Sequence, residues 1–319
     1  MATSTNIVDG GTYAGEAAGK YISAALLSGN TLSKGGLTIR PNIKYKEIVQ
    51  RLEIDDIVKD GSCDFDPTSA LTLTENVLEP KEFQVNLQLC KQSFRQDWDA
   101  IKMGYSAHDN LAPNFQSYLI SHVAAKVATK IEKTIWGGAD GNEGEFDGFE
   151  ALLAADANLP QANELTGITV NAGNVIDELG KVVDAIPAEL YGREDLCIYI
   201  PQNVYRAYVR SLGGFAADGV GAAGYQAKGN NQSFGDLMFD GVKLFVANGL
   251  SSNTMIAGTK DNLNFGTGLM NDSNLVKVLD MADLDGSQNV RFVMRYTAAV
   301  QYAIVEEIIT YGIVNSAND

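Results

Sequence analysis

The chain has 319 residues, of which 45% are hydrophobic and 20% are charged, and its formal net charge is −16. Its mean hydropathy of −0.08 is that of a globular protein, and the length suffices for one large or two medium domains. No apolar run reaches the roughly 18 residues of a membrane-spanning helix, and the polar residues 1–11 do not form a secretory signal. The cysteines, Cys63, Cys90 and Cys197, form no CxxC pair, which indicates reduced thiols rather than a disulfide framework or a zinc site.

The charge is unevenly distributed along the chain. Residues 1–135 hold 14 Lys and Arg against 16 Asp and Glu, whereas residues 136–319 hold 10 against 24. Within residues 17–46 there is no acid but five bases: Lys20, Lys34, Arg40, Lys44 and Lys46. This basic arm before an acidic body indicates either a surface that meets polyanions or a solvated arm without a partner.

The first elements in chain order are an extended arm and a β-ribbon. Residues 1–45 are rich in Gly, Ser and Thr, with one short helix-like piece at 21–27. Two strand-like runs follow at 48–58 and 71–89, separated by a turn-rich tip, and apolar residues alternate with polar ones from Phe83 to Leu89. A long two-stranded ribbon is marginal in isolation, so we expect a neighbouring subunit to support it.

A long helix is predicted over 111–136, after a short helix-like piece near Trp98. Pro113 lies in its first turn, where proline is tolerated, and Gly137-Gly138 ends it. Its apolar residues recur at every fourth position, so the stripe drifts about 40° per step and the helix must contact several neighbours. The stripe consists of Leu111, Phe115, Leu119, Val123, Val127, Ile131 and Ile135.

The second half of the chain alternates helices and strands. We predict helices at 174–186 and 204–212 around a strand at 196–200, and then a Gly-rich loop at 213–235. Further strands are predicted at 242–247, 254–257, 275–279 and, as one long element, 290–311. The fold class that this order indicates is α+β.

Two patterns match the residue types of known binding motifs but lack another feature that each motif requires. Gly219, Gly221 and Gly224 fit the dinucleotide fingerprint, but no strand precedes them and no helix follows, so a mobile loop is the better interpretation. The acidic turn of Asp140, Asn142, Glu143, Glu145 and Asp147 could offer oxygen ligands to calcium. However, Glu145 stands where an EF-type loop needs glycine, which favours a solvated turn.

No enzyme signature is present. His108 and His122 belong to no recognisable catalytic motif, and Glu306 and Glu307 would point to opposite faces of a strand. We therefore predict no catalytic, cofactor-binding or metal-binding residues.

One electrostatic feature has two interpretations: Lys126, Lys130 and Lys133 share a helix face, where they either complement the helix dipole or face phosphates.

The order of these pieces resembles the HK97-fold major capsid proteins of tailed double-stranded DNA bacteriophages. The resemblance covers nearly the whole chain and consists of loose local motifs in a matching order. Its residues are Trp136-Gly137-Gly138 with Phe146-Asp147-Gly148-Phe149, and the stretches 198–212, 240–248, 254–258 and 289–303.

The resemblance implies an N-terminal arm at 1–45 and an extended hairpin, the E-loop, at 46–92 that lies over a neighbouring subunit. It implies a peripheral domain at 93–165 and 275–319, with 111–136 as its spine helix, and an axial domain at 166–274. Because only about 45 residues precede the ribbon, we expect a separate scaffolding protein or none. The covalent Lys–Asn crosslink of some relatives cannot be assigned to any residue here.

The function that the resemblance implies is a shell of hexamers and pentamers around packaged phage DNA, without a cofactor and without a membrane. The expected partners are further copies of the chain, a portal, and scaffolding or decoration proteins, in a virion assembled in the bacterial host cytoplasm. The candidate DNA-facing residues are Lys20, Lys34, Arg40, Lys44, Lys46, Lys126, Lys130 and Lys133. Two alternatives stay open: an encapsulin-type nanocompartment shell, and an oligomeric nucleotide-binding enzyme.

Overall fold

The computed structural model describes residues 30–54, 71–90, 113–212, 237–268, 277–282 and 286–316. The predicted helical pieces at 21–27 and near Trp98, and the Gly-rich loop at 213–235, lie outside these residues. The elements of the first half are α1 (Asn30–Ser33), β1 (Thr38–Arg40), β2 (Glu47–Ile54), β3 (Leu71–Leu78), β4 (Lys81–Cys90), α2 (Pro113–Gly137) and α3 (Phe149–Ala155).

The second half contains the remaining strands and two longer helices. They are β5 (Glu164–Leu165), α4 (Val175–Asp184), β6 (Leu196–Ile200), α5 (Gln202–Ser211), β7 (Met238–Phe239), β8 (Val242–Val246), β9 (Met255–Thr259), β10 (Leu263–Gly266), β11 (Lys277–Asp280), β12 (Asn289–Tyr302) and β13 (Ile309–Tyr311). Short 3₁₀ helices span Gln161–Asn163 and Val305–Glu307. In the part of the chain that is described, no helix has both the length and the apolar character needed to cross a bilayer.

The strands of the described residues form three sheets. A six-stranded sheet has the order β5-β13-β9-β6-β8-β7, and a five-stranded sheet is built on β12, which pairs with β4, β10 and β11. The third sheet is the two-stranded ribbon of β2 and β3, paired antiparallel from Glu47 and Leu78 to Ile54 and Leu71. The mixed α+β class predicted from the sequence is confirmed.

The six-stranded sheet is covered on both faces. Along β6, Cys197 and Tyr199 join a first core that also holds the buried part of α2, while Ile198 and Ile200 join a second core with α4 and α5. All five residues of β6 are buried, because a strand covered on both faces loses the polar alternation of an edge strand. The predicted strand 196–200 is therefore confirmed, and it is an interior strand of its sheet.

The long helix is confirmed, with observed bounds of Pro113–Gly137. Of the predicted stripe, Val127, Ile131 and Ile135 are buried in the first core, and the side chains of residues 113–124 lie outside the described part. The indole of Trp136 is fully buried at the end of the helix, with its ring centroid 5.0 Å from that of Tyr199. The last turns of α2 therefore connect the helix to the six-stranded sheet.

Two glycines allow the chain to return across the end of α2. The N–H of Gly148 donates to the Gly138 carbonyl at 2.9 Å. A Cβ on Gly148 would lie 2.5 Å from the Thr134 carbonyl oxygen, and one on Gly138 would lie 2.5 Å from that of Phe146. Because backbone meets backbone here, only glycine fits at these two positions.

The prediction of a single strand over 71–89 was wrong. Two strands occupy this run: β3 pairs with β2 in the ribbon, and β4 pairs with β12 in the five-stranded sheet from Lys81–Ala298 to Cys90–Asn289. Pro80 lies between them, where a residue without an N–H cannot continue the ladder. The half-buried alternation is confirmed at Phe83 and Val85, which are partly buried between exposed neighbours, but not at Leu87, which is exposed.

The prediction of one strand over 290–311 was also wrong. β12 ends at Tyr302, a 3₁₀ helix spans Val305–Glu307, and β13 crosses to the other sheet. The Asn262 side chain holds the break: its Oδ1 accepts the N–H groups of Ala303 at 2.9 Å and Ile304 at 2.7 Å, and its Nδ2 donates to the Ile304 carbonyl. Glu306 and Glu307 therefore lie in a turn of 3₁₀ helix rather than on a strand.

Candidate assembly surfaces

The described side chains of the ribbon include a buried pair at its base and an exposed apolar pair. Val49 and Leu78 are buried in a small cluster with Ile43 and Ala299, which fixes the base of the ribbon to β12. Ile48 and Val77 are direct cross-strand partners, yet their side chains are 47% and 46% exposed. Burying such a pair is favourable at about 25 cal/mol per Å² of apolar surface. The described part of this chain provides no cover for the pair.

The backbone register extends this apolar pattern along the ribbon. Leu52 pairs with Leu73 and Ile54 pairs with Leu71, at even spacing from the Ile48–Val77 pair. The polar pair Gln50–Glu75 lies between them, so three of the four pairs in this register are apolar by sequence.

A groove with apolar walls lies between β4, α2 and the turn at 139–147. Its volume is about 630 Å³, and its apolar lining consists of Phe83, Val85, Leu87, Val127 and Tyr296. The Phe83 ring packs against Tyr296 at a centroid distance of 5.4 Å, while Leu87 is 39% exposed. The groove is thus a continuation of the first core that remains open to solvent.

Charged side chains also line this groove. Lys126 and Lys130 come from α2, Glu82 from β4, and Glu143 from the turn. Lys130 pairs with Glu145, and this contact holds the pKa of Glu145 at about 2, with further donation from the Asn142 amide.

The acidic turn of residues 139–147 is held by internal contacts. Besides its pairing with Lys130, the Glu145 carboxylate accepts the Ala139 N–H at 3.3 Å, and Asp147 accepts the Asp140 N–H at 2.8 Å. Asp140 forms an ion pair with Lys81 at the start of β4. Among the described residues no cluster of three or more His, Cys, Asp or Glu side chains could hold a metal ion.

Two of the predicted basic residues have carboxylate partners in the described part of the chain. Arg40 forms an ion pair with Glu47 at 2.6 Å and Lys46 forms one with Glu79 at 2.7 Å, so both cations are neutralised locally. Lys34, Lys44, Lys126 and Lys133 are exposed, and Lys20 lies outside the described residues. The prediction that these residues face DNA stays a prediction.

Sequence reasoning missed a buried polar cluster that anchors the arm to α2. The Glu132 carboxylate accepts from Thr31 twice, from its N–H at 2.9 Å and its hydroxyl at 2.5 Å, and the Trp136 indole N–H donates to the same hydroxyl at 2.8 Å. Burial raises the pKa of Glu132, and the Thr31 donors partly oppose that rise. The only signal in the sequence was an acid between apolar positions of the helix, and that signal does not identify its partner.

The other residues considered for chemistry lie largely outside the described part. His108 and the glycines at 219, 221 and 224 fall in ranges that the structure does not describe, as does the side chain of His122. Of the cysteines, Cys197 is buried in β6 and Cys90 is half-buried at the end of β4. Burial raises the pKa of the Cys197 thiol, which disfavours the reactive thiolate.

The chain matches no known family model and no curated protein sequence. It is similar to a chain in a solved procapsid of satellite phage P4, and that procapsid includes the size determination protein Sid. The identity is 11% and the TM-score 0.59, over 92% of this chain and 90% of that one. A chain from the capsid of an empty GTA particle gives 12% identity and a TM-score of 0.56, over 88% and 89%.

A chain from Mycobacterium phage Bobi gives 13% identity and a TM-score of 0.56, over 89% of this chain and 90% of that one. At such identities the similarity establishes the fold, which is that of phage-type capsid subunits. Within that class, the HK97-like fold predicted from the sequence is confirmed. By their descriptions, these solved structures are from a procapsid, a capsid and a phage.

Proposed function

We propose that this chain is a major capsid protein that assembles into hexamers and pentamers, which form the icosahedral shell around phage double-stranded DNA. The observation that carries the proposal is the similarity of nearly the whole fold to capsid chains, over about nine-tenths of both partners. No enzymatic step is part of this function.

The ribbon supports self-assembly from the physical side. Ile48 and Val77 form an exposed apolar pair on a two-stranded element, and such an element gains stability when a further layer packs on it. A neighbouring copy in a shell supplies that layer. The domain division proposed with this function is an arm at 1–45, an E-loop at 46–92, a peripheral domain at 93–165 and 275–319, and an axial domain at 166–274.

The shell function brings further partners into the proposal. A portal, a separate scaffolding protein and decoration proteins would meet the shell during assembly in the host cytoplasm, and packaged DNA would contact its inner side without sequence specificity. Arg40 and Lys46 already have carboxylate partners, so Lys44, Lys126 and Lys133 are the stronger candidates for phosphate contacts.

Expression of the full chain, alone and together with its gene neighbours, tests the proposal by electron microscopy of the purified product. We expect uniform closed shells, and nuclease-resistant DNA in particles from infected cells. Shells that hold a cargo enzyme and no nucleic acid would indicate the encapsulin-type alternative. Small oligomers that bind NAD or ATP would indicate the enzyme alternative.

A further inference from the structure

The base of the ribbon is attached to the body of the subunit through one of its two faces. Residues that pair directly across an antiparallel ladder share a face, as do residues two apart on one strand. By the register of β2 and β3, one face of the base carries four described residues: Glu47, Val49, Asn76 and Leu78. The exposed pair Ile48–Val77 lies on the opposite face, so the register itself separates attachment from exposure.

Two of the attachments on this face are apolar packing and an ion pair. Leu78 is fully buried, and a Cβ on Gly266 of β10 would lie 2.8 Å from the Leu78 Cδ2 atom. Glu47 pairs with Arg40 at 2.6 Å, and the Arg40 Nε donates to the Asn264 side chain at 2.8 Å. Because apolar packing is non-directional, the buried leucine holds the ribbon against the five-stranded sheet without fixing its direction.

Asn76 makes the directional attachment. Its Nδ2 atom donates to two successive carbonyls, those of Tyr302 at 3.1 Å and Ala303 at 3.2 Å. Hydrogen bonds depend on angle as well as on distance, so two bonds from one planar amide restrict rotation of the strand. A further bond, from Gln301 to the Val77 carbonyl at 3.3 Å, comes from a single exposed side chain.

The two acceptor carbonyls are themselves held by the body of the subunit. They lie where the chain leaves β12 for β13, and the Asn262 Oδ1 accepts the N–H of Ala303 at 2.9 Å. The Tyr302 hydroxyl donates to the Asp156 carboxylate at 2.6 Å. Asn76 therefore joins the ribbon to the point at which the chain passes from the five-stranded sheet to the six-stranded sheet.

A small change of direction at this base grows along the ribbon. A strand rises about 3.3 Å per residue, so the 8 residues of β3 span roughly 26 Å. A tilt of about 10° at the base displaces the far end of β3 by roughly 4–5 Å. Interfaces between proteins are packed as closely as protein interiors, so ribbons that differ by this displacement cannot make the same contact.

From this arrangement we propose that Asn76 is a positioning residue, which fixes the direction of the ribbon and thereby the uniformity of the shell. The clamp, meaning the two bonds from Asn76 to the carbonyls of Tyr302 and Ala303, acts inside one subunit and is formed before assembly. Its consequence for the shell rests on the proposed self-assembly, whereas the clamp itself is measurable on a single subunit.

Two substitutions separate the clamp from packing. Asn76→Ala removes the two bonds, whereas Asn76→Asp keeps the shape of the side chain and places a carboxylate against two carbonyl oxygens. We expect Asp to release the ribbon more completely than Ala, although Asp is the closer match in size. Loss of the two bonds should lower the ratio of clamped to released ribbons about tenfold. Asn86→Ala and Asn86→Asp are the matched controls, since Asn86 is exposed on β4.

The distance between two nitroxide labels on the unassembled subunit measures the direction of the ribbon. One label is attached at Thr72→Cys in β3 and the other at Arg206→Cys, an exposed position in α5. Cys63 and Cys90 are changed to serine, and the remaining cysteine is buried. Double electron–electron resonance should give a narrow distance distribution with Asn76 and with both controls. The distribution should be at least about twofold wider with Asn76→Ala, and wider still with Asn76→Asp.

Electron microscopy of the assembled particles measures the consequence for the shell. Wild-type chain and both controls should give shells of one diameter. Asn76→Asp should lower the fraction of particles at that diameter about tenfold. The thermal unfolding midpoint of Asn76→Ala should match that of Asn86→Ala, which separates a change of direction from a loss of folding.

Each other outcome has a definite meaning. A narrow distribution from Asn76→Asp would overturn the clamp, as would an Asp variant that lies closer to wild type than the Ala variant. If Asn76→Asp does not fold, the width from Asn76→Ala decides the same question. Wide distributions together with shells of one diameter would overturn the link to shell uniformity. If no chain forms shells, wild type included, the capsid function fails and the distances alone decide the clamp.

Discussion

The six-stranded sheet and the ribbon differ in how far their apolar side chains are buried. Every residue of β6 is buried, with Cys197 and Tyr199 on one side and Ile198 and Ile200 on the other. The ribbon buries Val49 and Leu78 at its base and leaves Ile48 and Val77 exposed.

The difference separates burial that one chain completes by itself from an exposed pair that, under the proposed function, a second copy covers. The sheet gains its burial within the chain, and it therefore determines whether the subunit folds. In the described part, the ribbon packs on the rest of the fold through Val49 and Leu78 at its base, and its exposed pair is buried only when a second layer covers it. Substitutions in the two regions should therefore separate stability from assembly.

The largest loss of stability is expected at the junction of α2 and the sheet. Trp136→Ala removes a fully buried indole that packs on Tyr199 and Phe149, and should lower the free energy of unfolding by about 3–5 kcal/mol. Urea unfolding of the unassembled subunit, followed by circular dichroism, measures this. A loss below about 1 kcal/mol would contradict the central role of this contact.

A smaller loss is expected where the arm meets α2. Thr31→Val removes the hydroxyl that donates to Glu132 and accepts from Trp136, and should cost about 1–3 kcal/mol because a buried carboxylate and a buried N–H lose partners. The same urea titration applies. Ser in place of Thr31 keeps the hydroxyl and should retain most of the stability.

The pH dependence of this cluster has a definite sign. Because the pKa of Glu132 is raised above 4.5 in the folded state, the folded chain holds this proton more tightly than the unfolded chain. The contribution of Glu132 to stability should therefore fall as pH rises above 4.5, by at most about 1.4 kcal/mol per pH unit. Unfolding free energies of wild type and Glu132→Gln, compared across pH 4 to 8, measure it: the wild type should lose stability relative to Glu132→Gln as pH rises, and a gain relative to that variant would contradict the assignment.

The ion pair of Lys130 and Glu145 should matter less. Its cation is partly exposed, so Lys130→Ala is expected to cost about 0.2–1 kcal/mol. The same substitution should change the pKa of Glu145 more clearly than it changes stability. That pKa should rise from about 2 toward 4.5 when its main partner is removed. Titration of the Glu145 carboxyl by carbon-13 NMR checks this, and an unchanged pKa would contradict the pairing.

The smallest effect on stability belongs to the ribbon, together with a large effect on assembly. Ile48→Asp should change the free energy of unfolding of the subunit by less than about 0.5 kcal/mol, because the side chain is exposed. It should nevertheless abolish shells, as judged by sedimentation and electron microscopy, whereas Ile48→Val should assemble normally. Normal shells from Ile48→Asp would show that the exposed pair is not an assembly surface.

Local sequence patterns predicted the parts of the fold that local physics determines. The burial of Val127, Ile131 and Ile135 followed from helical spacing, and the strand at 196–200 from an apolar run before Pro201. The glycines at 138 and 148 were visible as a motif, and the structure gives its reason in the close approach of two backbone segments.

Other features depend on residues that are distant in the sequence. The end of β12 is determined by the Asn262 side chain, which lies 41 positions from Ala303, and nothing near Ala303 marks the break. Likewise, the partner of Glu132 is Thr31, which lies 101 positions away. Pro80 was a local signal for the boundary between β3 and β4. No local signal indicated that β4 pairs in a different sheet from β3.

The junction at Pro80 also has a mechanical consequence. A pull on the ribbon along its axis passes through β3 directly into β4, whose register with β12 runs from Lys81–Ala298 to Cys90–Asn289. Hydrogen bonds in an antiparallel pair lie perpendicular to the strands, so such a pull loads them side by side, in shear. In the proposed shell, tension between subunits would thus be shared along the whole length of β4 rather than concentrated on one bond at a time.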